Sequence, residues 1–439
     1  MGAGLLIGLA LAPLAVPLLT RSVGRLAAHR SVPLAHDPLA RPLRDALSPA
    51  DPLARFYAGR GYRPLWITAG HVDPAAWRLI AALERAGADD LDPATYNPAA
   101  LMAAIARRTL DRDSLARTDI ALSRAFAAFI GDLHQPAQSA GLAFVDPAVA
   151  VPGRDPAATL GRAARAPDMT TALATAQAMN PMYRSLRSAL ARGSPGAPLI
   201  AANLERARAL PPALGGRYIL VDIPAQILIA YDHGSPVGGM RVVVGALDNQ
   251  TPAMIGLIRY AVLNPYWNVP PDVVRQEIAP HVLSEGPAWL RRRHFEPVSE
   301  GPVNWDAVAN GAVKLPVRQI PGRGNVMGKV KFMLPNPLGI YLHDTPQRRL
   351  FGAAWRADSH GCVRLQHAKR LARWLFGRAA AADPAGPPDQ RRDLAAPVPV
   401  YIVYLTALPT VGGVVFSPDI YRRDQPLLAE LAGRPAMRR

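Results

Sequence analysis

One feature of this 439-residue sequence limits its fold more than any other: the apolar periodicity switches at Gly215-Gly216. Upstream, from about residue 50 to 210, apolar residues recur at the spacing of a helix that buries one face. In VDPAAWRLIAALERAG, Asp73 is an N-cap and Pro74 takes the first helical position. Ala76, Trp77, Ile80 and Leu83 form its apolar stripe, and Gly87 ends it. TDIALSRAFAAFIGDLH places Leu122, Phe126, Phe129 and Leu133 on one face, and further helix is expected around 170–192 and 199–210. Downstream, RYILVDI, QILIAYD and GGMRVVVGA are short β-branched runs, with YDHGSP as a hairpin turn. RYAVLNPYWNVP, GKVKFML, GIYLH and VPVYIVYLT continue the strands. A partly helical insertion interrupts them at about 271–325. Ala368, Leu371, Ala372, Leu375 and Phe376 mark one more helix. The expected class is α+β: an all-α domain over 31–214, a mainly β domain over 215–407 and a tail over 408–439.

Fifty Lys and Arg against 33 Asp and Glu give a formal charge of +17. Such a surface suits an anionic partner: nucleic acid, anionic lipid or an acidic polymer such as a cell wall. No zinc-finger spacing, glycine-rich phosphate loop or aromatic RNA motif accompanies it, so nucleic acid is not expected. The bland reading is a solvated basic surface. Near the start, the run from Leu5 to Leu19 is apolar and uncharged. It is shorter than the roughly 20 residues a membrane span needs and has the length of a signal-peptide core. No basic residue precedes it, and Arg21, Arg25 and Arg30 follow. The expectation for residues 1–30 is an export signal or a single inner-membrane anchor, with a buried core helix as the alternative.

Export bears on the one cysteine of the chain. In an oxidising compartment cysteines usually pair, and Cys362 has no partner within the sequence. It lies in ADSHGCVRL, 19 positions after the His343 that ends the strand of GIYLHDTP. Alternation puts Tyr341 on the face of His343, and Cys362 on that of Arg364. Two strand ends joined by a loop of this size can lie side by side, bringing imidazole to thiol. A free thiol has a pKa near 8.5, and a histidine that takes its proton makes it a nucleophile. Asp344, through its carboxylate or its backbone carbonyl, is placed to fix the imidazole tautomer. Gly361 permits close approach of a substrate backbone and is expected to leave its own N–H and that of Cys362 for a developing oxyanion. Arg364 is either a clamp for a substrate carboxylate or a structural ion pair. A zinc site of His343, Asp358, His360 and Cys362 competes by residue type, but the spacing of His360 and Cys362 fits no standard ligand pair. No metal or cofactor is expected.

IYLHDTP…SHGCVRL resembles the signature of the L,D-transpeptidase family (YkuD-type catalytic domain). VVVG…TP, LNPYWNVPP, GKVKFMLPNP, FYAGRGYRPLW and SPDIYRRD extend the resemblance over about residues 50–425, in the large periplasmic branch of the family with a helical scaffold domain. The resemblance implies a peptidoglycan enzyme of the Gram-negative periplasm whose partners are stem peptides. Its cysteine would attack the bond between diaminopimelate and D-alanine, release D-alanine, and pass the acyl group to a second diaminopimelate amine in a 3→3 cross-link. It places the nucleophile on Cys362, the base on His343 and the orienting carbonyl on Asp344. The motif serine, glycine and arginine fall on Ser359, Gly361 and Arg364. Ser359, His360, Tyr341 and Trp267 join Arg364 as expected substrate-binding residues, and His360 is not assigned as base. Residues 271–325 become a capping subdomain over the cleft. Their basic residues Arg275, Arg291, Arg292, Arg293, Lys314, Arg318 and Arg323 make it a basic lid or a solvated face. The rivals are an L,D-carboxypeptidase or endopeptidase with the same site, and a non-catalytic wall-binding protein. The chain departs from relatives that carry a peptidoglycan-binding module before the catalytic domain: RGSPGAPLIAANLERARALPPALGG is too short to hold one.

Overall fold

The computed structural model describes residues 37–107, 111–149, 155–377 and 386–433. The expected signal or anchor at 1–30 lies outside them. Among the described residues no helix is long and apolar enough to cross a membrane.

The first part is helical, and its helices begin at Ala40–Asp45, ahead of residue 50. The longest, Arg112–Leu133, starts where the Asp111 carboxylate accepts the Ser114 N–H at 2.7 Å, and it buries Leu122, Phe126, Phe129 and Leu133 as expected. Its Asp119 is fully buried yet well paired: it accepts from Tyr57 Oη at 2.5 Å, Leu65 N at 2.9 Å and Trp66 N at 2.7 Å. That carboxylate pins the GYRPLW loop to the helix, since a buried acid must find donors. In Ala75–Glu84 the buried stripe is Ala75, Ala76, Leu79, Ile80 and Leu83. Trp77 is 48% exposed, because it stands one helical step outside that stripe. The expected helix at 170–192 is two, Met169–Ala176 and Pro181–Ala191. Pro181 starts a new helix, and Asn180 caps it by accepting the Tyr183 N–H.

The β part contains β1 (Arg217–Asp222), β2 (Ile227–Asp232), β3 (Ser235–Gly245), β4 (Met254–Leu263), β5 (Val330–Met333), β6 (Leu342–His343), β7 (Val363–Leu365) and β8 (Gln390–Val403). His233 and Gly234, both at positive φ, make the tight turn between β2 and β3, as the YDHGSP pattern predicts. Pairing runs β5-β6-β7-β3-β2-β1-β8-β4 and returns from β4 to β5, a closed circuit. Alternation divides β1 and β8 between two cores. Ile219, Val221, Val400 and Ile402 point inside the circuit. Tyr218, Leu220, Tyr401 and Val403 point outward against the helices. Both faces are therefore covered, which is why these strands read as unbroken apolar runs. The helical part also lends Ala143–Phe144 as a short parallel strand beside β4.

Two boundaries differ from expectation. The insertion begins at Trp267, because Trp267–Asn268 pairs with Val317–Gln319, which pairs with Phe295–Pro297. Around this three-stranded sheet Val273, Val274, Ile278, Trp289, Leu290 and Val308 form a separate core, so the insertion is a subdomain. The expected tail is also structured. Ala407–Thr410 and Gly413–Phe416 form a hairpin, and helix Asp424–Ala432 packs on the helical part. Asp424 meets Arg206 Nη1 at 2.6 Å, and both side chains are almost wholly buried.

Candidate active site

The site is built on two short parallel strands. β6 and β7 pair with Leu342 opposite Val363 and His343 opposite Arg364. Leu342, Val363 and Leu365 fill the interior. Alternation then sends Tyr341, His343, Cys362 and Arg364 to the other face, as expected from the sequence. The Tyr341 and His343 rings lie 5.7 Å apart.

His343 is buried, and its Nδ1 lies 2.6 Å from the backbone carbonyl of Asp344. A carbonyl only accepts, so the proton sits on Nδ1 and the Nε2 lone pair is available. Burial, reinforced by the Arg364 cation and more weakly by Lys331, pushes the imidazole down to about 3. The ring is therefore neutral at pH 7, in the tautomer a general base requires. Of the two ways Asp344 was expected to orient His343, the structure uses the carbonyl. Its carboxylate is turned away, accepting from Lys329 N at 2.9 Å and pairing with Arg348.

Burial pushes the Cys362 thiol up to about 11, against the opposing influence of Tyr341 hydrogen bonds and the Arg364 charge. Its Sγ–H faces the Gly339 carbonyl at 3.5 Å. No hydrogen bond joins it to His343 among the described residues, so the resting pair is neutral thiol and neutral imidazole, not the ion pair the sequence raised as a possibility. Tyr341 contacts the sulfur and is itself shifted up by burial and by Cys362.

The loop that presents Cys362 is held by a series of hydrogen bonds. Ala357–Ser359 lies parallel to the end of β3. Ser359 Oγ accepts the Gly361 N–H at 3.2 Å and donates to the Cys362 carbonyl at 2.6 Å. This corrects two expectations. Gly361 does not offer a free N–H; among the described residues the Cys362 N–H carries no hydrogen bond and is the donor left. The buried Ser359 fastens the loop and does not face a ligand. Gly361 itself is required for its φ of +102°. Behind the loop, Thr251 Oγ1 donates to the Gly361 carbonyl at 2.7 Å and accepts the Gly245 N–H at 2.8 Å. Tyr421 Oη donates to the Gly245 carbonyl at 2.7 Å and accepts Thr251 N–H at 3.2 Å. Thr251 and Tyr421 were not singled out from the sequence, although each sits in a quoted motif, VVVG…TP and SPDIYRRD. Their spacing from Cys362 gives no signal, because they reach it from behind the sheet.

The remaining expected residues divide. Arg364 donates to Gln347 Oε1 at 3.1 Å and lies 3.9 Å from Asp358, a loose pair with an exposed acid. His360 is half exposed, and its Nε2 lies 3.5 Å from Glu277 of the inserted subdomain. Trp267 belongs to the sheet of that subdomain, against Phe295 at 5.9 Å, and makes no described contact with Cys362. Among the described residues no three His, Cys, Asp or Glu side chains are arranged to hold a metal ion, so His343, Asp358, His360 and Cys362 do not converge as ligands.

Comparison with known proteins accounts for both parts of the molecule. Residues 216–398 match the family model of the L,D-transpeptidase catalytic domain, and residues 51–190 match that of the Scaffold domain. Residues 216–398 are thus similar to L,D-transpeptidase catalytic domains. A Haemophilus influenzae protein named "Putative L,D-transpeptidase" is 32% identical over 248 residues, which are 53% of this chain and 49% of that protein. The chain thus spans about half the length of this curated relative. Among solved structures, an L,D-transpeptidase mutant of Enterococcus faecium is 16% identical with a TM-score of 0.25, covering 44% of this chain and 52% of that one. The L,D-transpeptidase from Mycobacterium smegmatis is 14% identical with a TM-score of 0.23, covering 43% and 58%. Such low scores add nothing to the assignment. The stretch that matches the transpeptidase model contains His343, Cys362 and the inserted subdomain, and the Scaffold match covers most of the helical part before it.

Proposed function

We propose that this protein is a peptidoglycan L,D-transpeptidase with Cys362 as nucleophile and His343 as general base and acid. One observation carries the reading: the parallel register of β6 and β7 turns His343 and Cys362 to one face, with the imidazole proton held on Nδ1 by the Asp344 carbonyl. Nε2 takes the thiol proton as Sγ attacks the carbonyl between diaminopimelate and D-alanine. The oxyanion forms opposite the Cys362 N–H, and Arg364 supplies positive charge to it. The C–N bond breaks, Nε2–H protonates the leaving amine, and D-alanine departs from a thioester. The amine of a second diaminopimelate then attacks, loses its proton to Nε2 and leaves a 3→3 link, with the thiol restored. No cofactor takes part. The substrate places this work in the periplasm, with the polypeptide exported or anchored at the inner membrane. Roles in substrate binding are proposed for Arg364 and Tyr341, which line the thiol.

The same site would serve a carboxypeptidase if water replaced the amine. Incubation with purified tetrapeptide muropeptides, read by mass spectrometry, separates the two. Dimers carrying the 3→3 link are expected; trimmed tripeptides alone would reject transfer in favour of hydrolysis.

A further inference from the structure

Beside the transpeptidase site lies a basic cavity of about 610 Å³ that the mechanism above does not use. It is lined by Arg348, His367, Lys369, Arg370 and Arg373, with Gln366 on its wall. His367 is pushed down by desolvation and then by Arg370 and Arg348, which shows that these cations share one field. Arg348 alone among them is neutralised, by Asp344. Arg370 donates only to the Gly239 carbonyl, and Lys369 and Arg373 have no hydrogen bond or ion pair among the described residues. His367 and the three cations Lys369, Arg370 and Arg373 have no acid paired with them among the described residues, and such a field selects an anion.

Position says which anion. Val363 and Leu365 point into the core, so Arg364 takes the opposite face of β7, with Cys362 just before that strand and Gln366 just after it. From Cys362 to the cavity wall at Gln366 is four residues, about 13 Å at roughly 3.3 Å each. An extended peptide has nearly the same rise, so one bound at the thiol can lay a carboxylate several bonds away into the cavity. We infer that this cavity is a carboxylate subsite for the stem peptide that reacts at Cys362. The inference rests on the proposed function and adds where the peptide's negative charge is held.

Binding to the Cys362→Ala protein tests it without any chemistry. Calorimetry would compare a soluble stem tetrapeptide with the same peptide whose carboxylates are amidated. The intact cavity should bind the carboxylate form about three- to tenfold more tightly, the range of exposed to partly desolvated charge pairs. This preference should shrink as salt is raised. Lys369→Glu with Arg373→Glu should abolish or reverse it, and Lys369→Gln with Arg373→Gln should abolish it without reversal. Lys369 and Arg373 are exposed and unpaired among the described residues, and the Kd of the amidated peptide in each double variant reports that the fold is intact. Equal affinity for the two peptides in the parent, or a preference that survives both substitutions, overturns the subsite. Failure of either peptide to bind at all would instead overturn the proposed function.

Discussion

His343 is held neutral because the fold makes charging it costly. Its environment disfavours imidazolium, and that of Cys362 disfavours thiolate, so proton transfer waits for a substrate on which negative charge can develop. Alkylation of Cys362 by iodoacetamide should therefore rise with pH to a midpoint near 11. A midpoint no higher than that of a free thiol, about 8.5, would reject the neutral resting pair. Cys362→Ala should abolish acyl-enzyme formation, read as intact-protein mass. His343→Ala should lower its rate on the order of 10²–10⁴-fold. His360→Ser should cost far less, since that ring reaches out to Glu277; an equal loss would move the base to His360. That Tyr341 shares a face with His343, and Cys362 with Arg364, was legible in the sequence, because strand alternation is a strict rule; that the two strands lie side by side was only a possibility there. The oxyanion donor was not. Whether Gly361 or Cys362 keeps a free N–H depends on a Ser359 hydroxyl two residues back, and only the folded loop shows where that hydroxyl goes.

The strands of the site are short, and their neighbours keep them in place. Sequence runs such as GIYLH and CVRL read as strands, yet only Leu342–His343 and Val363–Leu365 pair. What positions them is the clamp of Thr251 and Tyr421, illegible because it joins residues more than a hundred positions apart. Thr251→Val keeps the shape and leaves the Gly361 carbonyl and Gly245 N–H without their partner. It should cost about 1–3 kcal/mol by denaturant unfolding and slow Cys362 acylation; an unchanged acylation rate would show that the clamp does not position the thiol. The inserted subdomain was foreseen as partly helical, but its sheet was not, since strands of two or three residues leave no periodicity to read. Its basic character is partly internal: Arg318 pairs with Glu296 and Arg292 with Glu285, whereas Arg275, Arg291, Arg293, Lys314 and Arg323 remain exposed. We expect a shortened subdomain to shift products from cross-linked dimer towards free tripeptide, because a lid that excludes water favours the amine. An unchanged product ratio at a lower total rate would leave it a binding surface only.

The two domains are joined through buried polar contacts as well as apolar ones. Asp424→Ala would strand the Arg206 guanidinium in the interface and should destabilise the protein by about 3–5 kcal/mol in denaturant melts; a cost under about 1 kcal/mol would mean the closing helix is dispensable. Asp222, fully buried at the end of β1, accepts the Leu405 N–H at 2.9 Å with one carboxylate oxygen, while among the described residues the other makes no full hydrogen bond and feels only the backbone near Ala225. Burial raises its carboxyl to about 8 from an ordinary 3.8. The neutral acid favours the fold fully below pH 3.8, and this contribution is lost as pH rises to 8. His343 acts in the opposite sense: its contribution is full above pH 6.5 and is lost as pH falls towards 3. Asp222→Asn should flatten the decline in melting temperature between pH 4 and 8, and an unaltered slope would show that Asp222 is ionised in the fold. The division into helical and β halves was plain at Gly215-Gly216, but the return of the last helix to the first domain was not, because it depends on a partner 218 residues away. The closed strand circuit has a consequence for how this protein can vary. In a ring the offset between neighbouring strands is a whole number fixed by closure, and no one ladder can slip without others yielding. The spacing of His343 and Cys362 is thus counted out in residues instead of being negotiated by packing. Walls, lid and basic cavity are free to drift towards other peptides while the two reacting atoms keep their appointment.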